Sequence, residues 1–377
     1  MERFDAIVVG AGPAGSTAAY RLSRAGARVL LVDRERFPRD KPCGGGLTYR
    51  AVRQLPVSVE PVVEDTVRRC QLGFRYGPRF ERKTVGPLIL MTQRRRLDAH
   101  LAEQAAAAGA DFRDGVRATA LEADDRGVTV RFNGSAASAP VAIGADGVNG
   151  LTVRALGLTG RRAHGVALEG NVSHVHARED YRGRAVVELG AVPGGYAWVF
   201  PKADHVNVGV GGWESEGPRL RAHLERACAA YGTPAERLES VRGYRLPMRR
   251  PGDRARSGRV LLVGDAAGLV DPLSGDGMYE AFVSARLAAE SVLGDELDGY
   301  EPALDRELGR SFAASWKAKY AMERFPRVLF GLARLPPVWG FVSAFLRGDL
   351  AHPGEATGLV RAPLRLVETL GASRHSA

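Results

Sequence analysis

The chain has 377 residues, 45% of them hydrophobic, and a formal charge of +10, enough apolar matter for a core shared by two domains and too much for a disordered chain. The basic excess suits an anionic partner such as a membrane surface or an acidic redox protein. Nucleic acid is not expected, because the arginines are dispersed and no zinc-finger or aromatic-basic RNA-binding pattern occurs.

In chain order, Asp5 to Val9 reads as a buried strand, Pro13 to Ala25 as an alanine-rich helix stopped by Gly26, and Arg28 to Val32 as a second parallel strand. The unit starts within five residues of Met1, so no leader is expected. Phe37 to Gly46 is kept out of regular structure by prolines and glycines and reads as a tight loop. Arg94 to Ala108 reads as a helix and Pro140 to Asp146 as a strand. From about Gly160 to Arg250 short alternating stretches (Arg184 to Leu189, Tyr196 to Phe200, His205 to Gly209) predict an antiparallel sheet. Glycines 209, 211 and 212 follow a strand-like stretch with no helix after them. Arg259 to Asp265 returns to the nucleotide-binding pattern, and helices dominate beyond Gly299. The apolar stretch Leu335 to Leu346 contains two prolines and is too short to span a bilayer. Cys43, Cys70 and Cys228 form no C-x-x-C pair and leave an odd count, which fits a reducing cytosol. His174 and His176 are expected on one strand face, without a third ligand, and no metal is expected.

Gly10-Ala11-Gly12-Pro13-Ala14-Gly15 is G-x-G-x-x-G between a strand and a helix. The first glycine allows the turn, the second lets backbone approach a pyrophosphate, and the third lets helix and strand pack. The helix N-terminus favours phosphate, and Asp33, with Arg34 beside it, ends the next strand where a carboxylate can accept ribose hydroxyls. FAD and NAD both satisfy this pattern. The segment Gly264-Asp265 through Ser274-Gly275-Asp276-Gly277-Met278 resembles the second FAD motif of glutathione-reductase-like flavoproteins that include p-hydroxybenzoate hydroxylase. In that likeness Asp265 serves the ribityl-phosphate region, and the backbone of Gly275, Gly277 and Met278 meets the flavin. Ala145-Asp146-Gly147 resembles the group's intermediate motif, with Gly150 where a serine is usual. Arg94 and Val116 match positions that contact the cofactor in related flavoproteins. FAD is therefore the expected cofactor, and no second G-x-G-x-x-G suggests a separate NAD(P)H domain.

Phe37-Pro38-Arg39-Asp40-Lys41-Pro42-Cys43-Gly44-Gly45-Gly46-Leu47 and Tyr196-Ala197-Trp198-Val199-Phe200-Pro201-Lys202 resemble the geranylgeranyl reductase family. The resemblance implies an FAD-dependent oxidoreductase that saturates carbon–carbon double bonds of a polyprenyl chain, either a menaquinone tail or a geranylgeranyl-type lipid, by hydride transfer from reduced flavin. It implies NAD(P)H or a ferredoxin-type protein as electron donor, and Cys43 first and Tyr196 second as candidate proton donors. Cys43, Gly44 and Gly45 would lie against the flavin, the glycines letting backbone pass close to it. Gly46, Tyr196, Trp198, Phe200 and Pro201 would meet the substrate. Cys43 could equally be an inert buried thiol, and the aromatic strand could be ordinary core. A flavin monooxygenase or halogenase is an alternative, since the aromatic strand resembles W-x-W-x-I-P, although Tyr196 and Phe200 replace its first tryptophan and its isoleucine. A non-catalytic FAD- or prenyl-binding protein is another.

The expected architecture is α/β: a discontinuous Rossmann-like FAD-binding domain (1–70, 91–160 and 251–298), an antiparallel-sheet substrate domain (71–90 and 161–250) and a helical C-terminal region (299–377). The expected location is the cytoplasm, with peripheral contact to the cytoplasmic membrane through the apolar, arginine-flanked stretches Phe325 to Leu332 and Trp339 to Arg347. Self-packed helices are the alternative.

Overall fold

A computed structural model describes residues 1–158, 163–350 and 352–372. Ala6–Val9, Val29–Val32 and Val141–Gly144 are buried along their whole length, as unbroken apolar runs require when both sheet faces are covered. They form the centre of a six-stranded sheet, with Asp111–Arg113 beyond Val29–Val32 on one side and Val260–Leu262 beyond Val141–Gly144 on the other. These pairings are parallel. Arg256–Ser257 adds an antiparallel edge.

Side-chain alternation sends Ala6, Val8, Val29 and Leu31 toward helices Pro13–Arg24 and Met278–Leu293. It sends Ile7, Val9, Leu30 and Val32 onto Val128, Val130 and Phe132 of a four-stranded sheet.

The second large sheet has seven strands, in the order Glu239–Met248, Ala163–Ser173, His205–Trp213, Tyr196–Pro201, Arg184–Leu189, Arg69–Phe74 and Arg79–Lys83. It is antiparallel except where Arg184–Leu189 meets Arg69–Phe74 in parallel, a pairing between distant segments that local alternation could not reveal. Val186, Val199, Val208 and Val210 face helix Leu220–Ala230, which leaves the alternate positions for a cavity. The glycines at 209, 211 and 212 continue the strand His205–Trp213; a Cβ on Gly209 would lie 2.0 Å from the Trp198 ring. Gly209 is glycine because the Trp198 indole crosses it, whereas a Cβ on Gly212 would meet the Pro193 carbonyl oxygen at 2.6 Å.

Strand Ala163–Ser173 ends before His174, so His174 and His176 lie in a turn and share no strand face; the His174 ring instead meets the Lys202 carbonyl at 2.9 Å. Strand Arg69–Phe74 runs across the expected domain boundary at residue 70, and the boundary expected at 160–161 lies outside the described residues. Helices Tyr300–Arg324, Pro326–Ala333, Pro336–Arg347 and Arg361–Ala372 form the C-terminal region. Among the described residues no single helix is long and apolar enough to cross a membrane; Pro326–Ala333 and Pro336–Arg347 form a pair bent by 87°.

Candidate active site

A continuous cavity of about 1170 Å³ runs between the two large sheets and under the C-terminal helices. At one end it is lined by Gly10, Gly12, Pro13 and Ala14. Gly10 has φ +104°, and a Cβ there would lie 2.4 Å from the Ala145 carbonyl oxygen. A Cβ on Gly15 would sit 1.8 Å from the Gly10 oxygen, so Gly15 serves helix–strand packing and does not line the cavity. Gly12 differs: its missing Cβ would meet only the guanidiniums of Arg39, at 3.5 Å, and Arg94, at 3.9 Å. A bare helix N-terminus facing two cations is a fit for a pyrophosphate.

Both arginines are held by Asp98, which is fully buried. Arg94 Nε and Nη2 donate to its two oxygens at 2.7 and 2.8 Å, and Arg39 Nη1 reaches it at 2.8 Å. Arg94 thus lines the cavity with its guanidinium held by an anion it shares with Arg39, a second cation at the same place.

Asp33 accepts the Ala11 amide at 2.8 Å and the Glu35 amide at 2.9 Å, which aims its carboxylate into the cavity beside Gly12. Arg34 lies at the rim, paired with Glu35 and largely exposed. Val116 lines the same end, but its N–H is bonded to the Asp33 carbonyl at 2.8 Å, so the backbone group it can offer an adenine is its carbonyl.

Asp265 accepts Lys41 Nζ at 2.8 Å and the Tyr244 hydroxyl at 3.0 Å, and the nearby Lys41 charge holds its carboxyl below the usual range despite burial. After it, Gly275 takes φ +66° and Gly277 precedes helix Met278–Leu293. The Met278 N–H is taken by the Asp276 carboxylate at 2.9 Å, so it is not an open donor. Burial raises the Asp276 carboxyl to about 6. At the intermediate motif, a Cβ on Gly150 would overlap the Asp146 carboxylate. The hydroxyl there comes instead from Thr152, which donates to Asp146.

The Cys43 loop also lines the cavity, with Gly44 against the Phe200 and Trp198 rings. The Cys43 amide donates to Glu169 at 2.6 Å, the Gly44 carbonyl accepts Lys202 Nζ at 2.7 Å, and the Gly45 amide donates to Cys43 Sγ at 3.4 Å. Burial raises the Cys43 thiol and lifts Glu169 to about 7, while it depresses Lys202 to about 8. A Cβ on Gly45 would strike the Thr92 carbonyl oxygen at 2.0 Å, so this loop admits only glycine there.

Tyr196, Trp198 and Phe200 share one face of their strand and line the cavity, with neighbouring ring centroids 5.9 and 6.2 Å apart. The Tyr196 hydroxyl donates to the Ser274 carbonyl, tying the aromatic strand to the second FAD-motif turn. Pro201 is not in the lining: strand alternation turns it to the opposite face from Phe200. Gly46 does line the cavity, at the start of the short strand Gly46–Thr48. The lining also includes the apolar residues Leu72, Ile89, Val187, Leu329, Leu332 and Phe345.

Residues 3–290 match the FAD binding domain family. The chain is 34% identical over 352 residues to a menaquinone reductase of Mycobacterium tuberculosis, covering 86% of this chain and 85% of the relative. It is 32% identical over 305 residues to digeranylgeranylglycerophospholipid reductase 1 of Methanopyrus kandleri, covering 76% of this chain and 80% of that protein. The chain belongs to the geranylgeranyl reductase family of FAD-dependent oxidoreductases. A solved geranylgeranyl bacteriochlorophyll reductase-like protein of Thermoplasma acidophilum shares its fold, with TM-score 0.76, 23% identity and coverage of 100% of this chain and 97% of that one.

FAD is the cofactor of this geranylgeranyl reductase family member. Sequence reasoning missed Arg39, Lys41, Asp98, Glu169, Lys202 and Tyr244 as site residues. Arg39, Lys41 and Lys202 lie inside the two segments that carry the family likeness and could have been singled out there. Glu169 and Tyr244 come from neighbouring strands of the large sheet, and nothing local marks them.

Proposed function

We propose that this chain saturates isolated carbon–carbon double bonds in a polyprenyl chain, with the tail of a menaquinone as leading substrate and a secondary-metabolite isoprenoid next. The observation that carries this reading is the continuity of the cavity: the phosphate-facing glycines, the Cys43 loop, the aromatic strand and the apolar walls line one space. A long apolar chain threading past a small reacting centre needs this shape. The relatives named as reductases of menaquinone and of a geranylgeranyl lipid support it.

Gly12, Pro13, Ala14, Asp33, Arg39 and Arg94 would hold the dinucleotide, and Gly44, Gly45 and the turn Gly275 to Gly277 would flank its ring. When bound and reduced, FAD supplies the reducing equivalents. The protein's part is alignment, exclusion of water and a proton. Burial keeps the Cys43 thiol protonated at neutral pH, so its Sγ–H is the first candidate donor to the alkene carbon. Tyr196 is second, because its proton is engaged by the Ser274 carbonyl.

Two further parts of the reading concern partners. Reducing equivalents would arrive from NAD(P)H or a ferredoxin-type protein. The bent helix pair carries exposed Val328 and Leu335 beside Arg327 and Arg334, which suits contact with an anionic membrane surface. Recovery wholly in the soluble fraction on liposome flotation would sink the membrane contact. The main reading is tested by mass spectrometry of isoprenoid lipids and quinones from cells with and without the gene. A dihydrogen difference in one lipid class is expected; an oxygen or halogen difference would replace the reductase reading with a monooxygenase or halogenase.

A further inference from the structure

Lys319, on helix Tyr300–Arg324, is 4% exposed and lines the same cavity. Its Nζ donates to the Gly194 carbonyl at 2.6 Å and stands 4.2 Å from the centroid of the Trp213 ring. Among the described residues it makes no ion pair. An ammonium removed from water and given only a carbonyl and a π face is costly to keep. It has two N–H bonds beyond the one Gly194 takes. Burial lowers its pKa to about 8, with Asp271 and Glu323 acting in the opposite direction.

Gly194 lies two residues before Tyr196, at the end of the aromatic strand remote from Phe200 and the Cys43 loop. Four residues at about 3.3 Å each put the two ends roughly 13 Å apart. The cavity is therefore polar at two separated places along one face, the Cys43 loop and Lys319.

We infer that Lys319 anchors the head of the substrate by hydrogen bonding to a ring carbonyl oxygen of a quinone, while the tail runs along the aromatic strand toward Cys43. The inference rests on the polyprenyl-quinone reading above. The charge around Lys319 separates a carbonyl from an anionic head. Asp271 lines the cavity and acts on Lys319 by its charge; Asp276 and Glu280, also in the lining, interact in turn with Asp271, and burial raises the carboxyl groups of both. Arg50, which acts on Asp276 and Glu280, also lines the cavity, stacked on the Tyr279 and Phe345 rings at 3.8 and 4.2 Å. A diphosphate would bring several negative charges to a wall already rich in carboxyl groups. A carbonyl brings none and accepts an ammonium hydrogen bond.

The test measures equilibrium binding to the FAD-loaded full chain, without turnover, for three probes of matched tail length: a prenylated naphthoquinone, a prenyl hydrocarbon and geranylgeranyl diphosphate. Lys319→Met removes the charge at similar volume, and Lys319→Gln keeps a neutral donor should the first variant lose its flavin. The quinone is expected to bind the Met variant about tenfold to a hundredfold more weakly, with hydrocarbon binding unchanged. Equal quinone affinity in wild type and both variants overturns the inference. So does a wild type that prefers the diphosphate and loses that preference in the variants. Failure of the wild type to reduce the quinone tail would instead overturn the proposed activity, because the binding comparison is read separately.

Discussion

The carboxylate of Glu169 accepts the backbone N–H of Cys43 at 2.6 Å, so a residue of the large sheet holds the loop that carries the candidate proton donor. Lys202 fixes the next peptide from the other side through the Gly44 carbonyl. The position of the thiol is thus set by two buried ionisable groups, one within strand Ala163–Ser173 and one just past the end of strand Tyr196–Pro201, with His205–Trp213 between those strands.

Burial of Glu169 predicts a pH dependence of stability whose sign follows from its raised carboxyl. Its carboxyl is raised from 4.5 to about 7, so the folded state favours the protonated form. The associated stability is complete below about 4.5 and is lost as pH rises through about 7. Glu169→Gln keeps an acceptor for Cys43 and removes the titration. The melting temperature of wild type is expected to fall relative to this variant across that interval, and a constant difference would refute the assignment.

Gly12 and Gly15 separate binding from folding. Gly12→Ala places a methyl group where only Arg39 and Arg94 stand nearby, so the apoprotein should melt as wild type does while FAD affinity falls about tenfold or more, the cost of blocking a close phosphate contact. Gly15→Ala drives a Cβ into the Gly10 carbonyl and should destabilise the apoprotein itself. Thermal melting with and without FAD, combined with flavin titration, distinguishes the two.

Asp98→Asn would leave Arg39 and Arg94 short of their shared anion. Removing one partner from a buried ionic cluster costs about 3–5 kcal/mol, readable as a lower denaturant midpoint of the apoprotein. Flavin should be retained less well, since both guanidiniums face Gly12. A midpoint equal to wild type would show that the cluster is not held by this carboxylate.

Cys43→Ala should leave flavin content near wild type and slow double-bond reduction about a hundredfold or more, the usual range for a lost general acid. Unchanged lipid reduction would exclude the catalytic role. Tyr196→Phe removes the bond to Ser274 and should loosen the second FAD-motif turn, measured as faster flavin release with a smaller effect on reduction.

The nucleotide-binding unit was legible because its signals are local. Gly10, Gly12 and Gly15 sit at spacings that a strand–turn–helix demands, and Asp33 follows one strand later. The aromatic face was legible from period-two alternation at Tyr196, Trp198 and Phe200. That same rule turns Pro201 away from the cavity. The glycines at 209, 211 and 212 are harder, because what needs the space at Gly209, the Trp198 indole, and at Gly212, the Pro193 carbonyl, lies on other strands and turns. Met278 lines the cavity, but its N–H, which its place at a helix start suggests is open, is taken by the Asp276 carboxylate two residues earlier.

By itself, the sequence determined the FAD-binding unit, the second motif at Asp265 and Gly275, and the two segments that mark the family, since each depends on residues close together in the chain. Tertiary structure alone decided that Asp98 joins Arg39 to Arg94, that Glu169 and Lys202 hold the Cys43 loop, and that Lys319, more than a hundred residues beyond the aromatic strand, enters the cavity from its helix. Those relations arise where separate elements meet. The reason is physical: the position and ionisation of a buried charge depend on every neighbour that excludes water from it, and those neighbours come from across the whole chain.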